Sequence, residues 1–166
     1  MKKIIITIFL AFAVCFSFAQ EKQPAEMRME ITEVSEDGNE YSVFTYKDKG
    51  GSTEYYMGLG RNCDICLFLG ITADEAYESL SFLMDFFDNE AGTTVKFTCR
   101  LSVGAEKLGD YTSVSCMVVR HGMKGKHLNF KYECENHIIE TEITQSAIKS
   151  LRSSFKAYRK MHKKLK

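Results

Sequence analysis

The sequence predicts an α+β domain: antiparallel strands arranged as two ββββα units, with two amphipathic helices packed on one face of the sheet. Three observations predict it. Short runs rich in Val, Ile, Thr, Tyr and Phe alternate with turn clusters of Gly, Asn and Asp. Only two stretches change to a helical period. Those two stretches also match each other over part of their length.

In order, residues 27–35 alternate and read as a strand, and Glu36-Asp37-Gly38-Asn39 reads as a turn. Residues 40–47 and 53–59 continue the pattern across Asp48-Lys49-Gly50-Gly51, and 63–69 read as a buried fourth strand. Thr72-Ala73-Asp74-Glu75 then has the form of a capping box. Ala76, Tyr77, Leu80, Leu83, Met84 and Phe87 share one helical face, with Gly92 expected to end the helix. Residues 93–102 alternate cleanly, and 111–120, 127–135 and 137–142 follow as strands. Thr144 is expected to cap a last helix with an apolar seam of Ile148, Leu151, Phe155, Tyr158, His162 and Leu165.

The two halves, 27–92 and 93–166, read as an internal duplication. Ile71-Thr72 and Ile143-Thr144 stand at the two helix entrances. Ala76-Tyr77-Glu78-Ser79-Leu80 aligns with Ala147-Ile148-Lys149-Ser150-Leu151, three identities in five. Two amphipathic helices share an apolar period in any case, so the match carries limited weight on its own.

Residues 1–19 have the design of a secretory signal peptide. Lys2 and Lys3 precede an apolar stretch, and Ser17-Phe18-Ala19 places small residues at −3 and −1 before cleavage at Gln20. Residues 20–26 form a short polar linker, and 27–166 a single domain. The apolar stretch from Ile4 to Ala19 is 16 residues, short of the roughly 20 that a spanning helix needs, which places an uncleaved anchor second. Lipidation at Cys15 ranks lower still, because Val14 is bulky and the residues after Cys15 are apolar. The expected location is periplasmic or extracellular, with no stable membrane span after signal cleavage.

The zero net charge hides a split. All 22 acidic residues lie at or before Glu142, and the 24 residues from Ile143 onward carry 8 basic residues and no acidic one. The helix at 73–90 holds six acidic residues and no basic one. The two helices are therefore expected to lie side by side and to pair through these stripes, which selects a neighbour more than it stabilises the fold. Lys160, Lys163, Lys164 and Lys166 are the candidate contact with an anionic surface. A solvated basic face is the plainer account, and nothing in the chain points to nucleic acid.

Removing the leader leaves five cysteines, an odd number in a compartment that favours disulfides. Cys63-Asp64-Ile65-Cys66 has a redox or metal spacing. If both cysteines lie in one strand, however, they face opposite ways, and no second ligand pair accompanies them. Cys99, Cys116 and Cys134 fall in consecutive strands. Hairpin centres near residues 107–108 and 125 would align them in a row. All five are candidate thiol or disulfide positions, and small buried side chains are the bland alternative. His121, His127 and His137 show no ligand spacing.

No GxSxG, HExxH, P-loop or dinucleotide fingerprint occurs in the sequence. No catalytic, cofactor-binding or metal residue is therefore assigned. The leading expectation is a non-catalytic exported domain that binds a protein or surface partner. Next comes a carrier of an apolar small ligand between sheet and helices, and third a small hydrolase or thiol-redox protein. A cavity between sheet and helices would favour the carrier, and a filled core with an exposed aromatic patch the binding domain.

Overall fold

The computed structural model describes residues 27–36, 38–47, 51–60, 62–104, 107–135 and 137–164. The leader, the linker, Leu165 of the expected helix seam and Lys166 lie outside them. The strands are β1 (Met27–Glu36), β2 (Asn39–Lys47), β3 (Thr53–Leu59), β4 (Ile65–Gly70), β5 (Thr94–Ser102), β6 (Leu108–Arg120), β7 (Lys126–Cys134) and β8 (His137–Thr144). Helix α1 (Ala73–Phe86) follows β4, and α2 (Gln145–Lys164) follows β8.

All eight strands form one antiparallel sheet in chain order, so every neighbour in sequence is a neighbour in space. The junction between β4 and β5 is short, with Ile65, Cys66 and Leu67 opposite Leu101, Arg100 and Cys99. The sheet curls. Its register shifts at Glu30/Thr32, Tyr55/Tyr56 and Arg100/Ser102 add local twist. The Tyr41 hydroxyl on β2 donates to the Glu142 carbonyl on β8 at 2.6 Å, although five strands separate them in the sheet. Glu36, at the end of β1, accepts from the hydroxyls of Thr144 and Ser146 where α2 begins.

Strand alternation divides the sheet into two faces. Tyr55, Met57, Leu59, Ile65, Leu67, Cys99, Val114, Cys116, Leu128, Phe130 and Ile143 join the main core. Ala76, Leu80 and Leu83 of α1 complete it, with Ala147, Ile148, Leu151 and Phe155 of α2. The opposite face buries a smaller cluster of Phe44, Tyr46, Tyr56, Cys66 and Leu108. Arg28 lies 3.8 Å above the Phe44 ring. Arg100 stands between Tyr46 and Tyr111, and Glu54 accepts from the hydroxyls of Tyr56 and Tyr111. Burial beside these groups pushes the Tyr56 phenol far up from its ordinary range. Arg100 also donates to the carbonyls of Gly109 and Leu108, so the polar atoms of this cluster form one connected network.

The capping box forms as expected at its N-cap. The Glu75 amide donates to the Thr72 hydroxyl at 3.2 Å, while the Glu75 carboxylate reaches back one residue further, to the Ile71 amide at 2.8 Å. The expected role of Gly92 is corrected. Helix α1 stops at Phe86, and Gly92 instead donates to the Val118 carbonyl as the chain enters β5. Lys126 supplies the missing cation at the end of α1, donating to the carbonyls of Phe87 and Asn89 at 2.9 and 2.8 Å.

The acidic and basic helices meet through charge at one point of the expected stripes. Asp74 at the start of α1 receives Arg159 and Lys163 from the end of α2, and Arg152 donates to Ser81. Arg152 and Arg159 both lie over the Tyr77 ring. The helices run antiparallel, which directs Asp85 and Asp88 toward the first turn of α2 and away from its lysine-rich end. Among the described residues, no helix is long and apolar enough to cross a membrane.

Candidate functional site

A cleft opens where the start of α1 meets the end of α2 above β3. Its volume is about 490 Å³, and Thr53, Tyr55, Ile71, Thr72, Ala73, Asp74, Arg159, His162 and Lys163 line it. A second hollow of about 240 Å³ adjoins it through the shared residues Thr53, Tyr55 and His162, and adds Met27, Met29, Thr45, Lys47 and Tyr158. The first volume lies within the roughly 300–1,000 Å³ typical of small-molecule sites.

The local sequence explains the geometry. The capped turn at Thr72 fixes the direction of α1, and the apolar seam of α2 sets Tyr158 and His162 on the side facing β3. Phe155 packs edge-on against Tyr55 at 6.0 Å and tilts against Tyr158 at 5.5 Å. Burial and the neighbouring Tyr158 hydroxyl raise the Tyr55 phenol well above its ordinary value, so it stays neutral. At the mouth, Lys163 and Arg159 hold the Asp74 carboxyl below its usual range. One carboxylate therefore faces two permanent cations and an imidazole, with Lys47 on the adjoining wall.

The Asp74 shift predicts a pH dependence. A folded-state pKa depressed below the unfolded value of 3.8 contributes stability that is present above that value. The contribution is lost as pH falls through the folded pKa. Asp74→Asn is expected to melt slightly below the wild type at neutral pH, with the gap closing in acid below about pH 4. Paired thermal melts across pH 2.5 to 7 check it, and the pair's exposure keeps the effect small.

The five candidate cysteines occupy distinct settings. Cys63 is not in a strand. It sits in a turn with φ 51°, closed by its amide donating to the Gly60 carbonyl, and β4 begins only at Ile65. Cys63 and Cys66 both meet the outer-face cluster, which corrects the expectation that alternation sends them to opposite sides. Arg28 approaches the Cys63 sulfur at 3.3 Å, and the Cys66 thiol donates to the Cys63 carbonyl. The row of Cys99, Cys116 and Cys134 does not form. Cys99 lies opposite Thr112, Cys116 opposite Phe130, and Cys134 opposite His137. Burial pushes the Cys66 and Cys116 thiols up to about 12 and Cys99 up to about 11. These three are expected to resist iodoacetamide until the protein unfolds, while Cys134, which is exposed, and half-buried Cys63 react in the native state. Peptide mapping after native and denaturing alkylation checks this order.

Of the four candidate surface lysines, Lys163 belongs to the cleft, Lys160 and Lys164 are exposed on α2, and Lys166 lies outside the described residues.

A second polar grouping was not foreseen. His121 Nε2 lies 2.9 Å from Glu142 Oε1, and His127 Nδ1 lies 3.2 Å from Glu142 Oε2. The two rings stand 4.9 Å apart. Asn129 donates to Glu140 at 2.7 Å and to Glu142 at 3.4 Å. Residues 121 and 127 flank a tight turn, and Asn129 pairs with Glu142 across β7 and β8. The signal was the polar alternation of His127, Asn129 and Lys131 facing Glu140 and Glu142. It becomes legible only once the hairpin register is known.

No family model, curated protein or solved structure matches this chain.

Proposed function

We propose that this chain is an exported, non-catalytic domain that binds an anionic amphipathic small molecule in the cleft between α1, α2 and β3. One observation carries the reading: a mouth with excess positive charge opens onto an aromatic and methionine-lined hollow. Arg159 and Lys163 outweigh Asp74 at the mouth, and Met27, Met29, Tyr55 and Tyr158 line the apolar part. A carboxylate or phosphate head would be attracted to the first group, and an apolar body would leave water against the second.

The same proposal includes the architecture. The two halves are duplicated ββββα units whose helices cover one face of the sheet. In support, the Thr72 and Thr144 hydroxyls each cap a helix by accepting an amide three residues on, from Glu75 and Ala147. Buried Ala76 and Leu80 align with buried Ala147 and Leu151. Export rests on the composition of residues 1–19.

The test uses the purified protein and the fluorescent anion 1-anilinonaphthalene-8-sulfonate. Dodecanoate is expected to displace the probe about tenfold more effectively than dodecanol, a difference of about 1.4 kcal/mol. The variant Lys163→Met should remove most of that preference. Equal displacement by acid and alcohol, or none by either below the micelle concentration, would overturn the proposal.

A further inference from the structure

We propose that His121, His127 and Glu142 form a binding site for a divalent late first-row metal ion of the zinc, nickel and copper class. This site is separate from the cleft and shares no residue with it.

The three residues come from elements that fix them in different ways. His127 and Glu142 project from the same outward face of β7 and β8, where His127 lies opposite Thr144 and Asn129 opposite Glu142. They are thus diagonal neighbours on a paired, hydrogen-bonded sheet. His121 arrives from beyond the end of β6. Its amide donates to the Gly125 carbonyl at 3.0 Å, closing the turn that folds its ring back over β7.

Both imidazoles direct a nitrogen at the same carboxylate, and all three donor atoms lie within 4.8 Å of one another. In a four-coordinate zinc site with metal–donor bonds of about 2.0–2.1 Å, donors stand about 3.3 Å apart. His121 Nε2 stands 2.9 Å from Glu142 Oε1 and His127 Nδ1 stands 3.2 Å from Glu142 Oε2, so each imidazole already lies near that spacing from one oxygen of the carboxylate. The third closes by turning His121, the most exposed of the three. Two imidazoles with one carboxylate suit zinc, nickel and copper, whereas calcium and magnesium want sites dominated by oxygen. Asn129 donates to the Glu142 carboxylate and ties it to Glu140, the kind of outer contact that orients a ligating carboxylate. Three protein donors leave at least one position for water or for a donor from another molecule.

The experiment is calorimetric titration of the EDTA-stripped, purified protein with zinc chloride, with magnesium chloride as the comparison. Zinc is expected to bind with a Kd of about 1 µM or tighter, and magnesium is expected not to displace it. His127→Gln and Glu142→Gln should each weaken zinc binding by about tenfold or more, while His137→Gln, at the far end of β8, should leave it unchanged. A second measurement keeps the proposal testable if a variant fails to fold. In the wild-type protein, substoichiometric copper(II) should broaden the ring proton signals of His121 and His127 ahead of those of His137 and His162. Zinc binding that survives both site variants, no binding at about 100 µM, or copper broadening first at His137 or His162 would overturn the assignment.

Discussion

Truncating Phe155 to alanine is expected to cost about 3–5 kcal/mol of stability, the range for removing a large aromatic side chain from a packed core. Phe155 has no exposed surface, and it is the last fully buried residue along α2. Its ring contacts Tyr55 on β3 and Tyr158 one turn on, so one side chain joins the helix to the sheet and supports two residues that line the cleft and its adjoining hollow. Small domains have only about 5–15 kcal/mol in total. The variant should therefore melt lower by on the order of 10 °C, followed by circular dichroism. Phe155→Leu, which keeps most of the volume, should lose less than half as much. Displacement of the bound probe should also weaken in Phe155→Ala at temperatures where it is still folded, because Tyr55 loses its edge-on support. A fall of less than about 1 kcal/mol would mean that the end of α2 is held by something other than this contact.

The contrast between what was legible and what was not follows from one property of strands. A shift of one residue in register turns every side chain to the other face, but a shift by an even number leaves faces unchanged and moves only the neighbours. The β5–β6 connection is closed by Val103 donating to Lys107, and β6 starts at Leu108, which is buried in the outer cluster. The β6–β7 turn spans Gly122 to Gly125, both with positive φ. Each turn is therefore centred about two residues earlier than composition alone placed it, and each register slides by four. Cys99 and Cys116 accordingly kept their expected inward face and lost each other as neighbours. The approach of His121, His127 and Glu142 joins a turn to a strand pair, so it needs the β7–β8 register and the fold of the 121–125 turn together, although every element carrying them was foreseen. The helices show a parallel limit. Caps at Thr72 and Thr144 are local chemistry and were readable from neighbouring residues. The antiparallel crossing that gives Asp74 to Arg159 and Lys163 depends on how α1 and α2 settle on the sheet, and no local pattern encodes it.

Gly70→Ala is expected to be the second most damaging of these substitutions, at about 2–4 kcal/mol. Gly70 ends β4 with φ 141°, a region that side chains rarely enter. An added Cβ would stand 2.5 Å from the Glu75 Cβ and 2.8 Å from its carboxylate, with the Ala76 amide at 3.4 Å. Backbone strain and steric overlap therefore act together. The overlap cannot be relieved by swinging a flexible side-chain end, because the nearest atom is fixed to the first turn of α1. That turn also carries the Glu75 contact to the Ile71 amide and the Thr72–Asp74 wall of the cleft. Gly92→Ala separates the two causes. Gly92 has φ 93°, but nothing lies within 4 Å of a Cβ placed there. It should show strain alone, about 1–2 kcal/mol. Urea unfolding of both variants measures the difference. If Gly70→Ala loses no more than Gly92→Ala, the close approach of β4 to α1 contributes nothing beyond backbone strain, and the cleft wall must be held by the helix contacts at Asp74 and Ser81 instead.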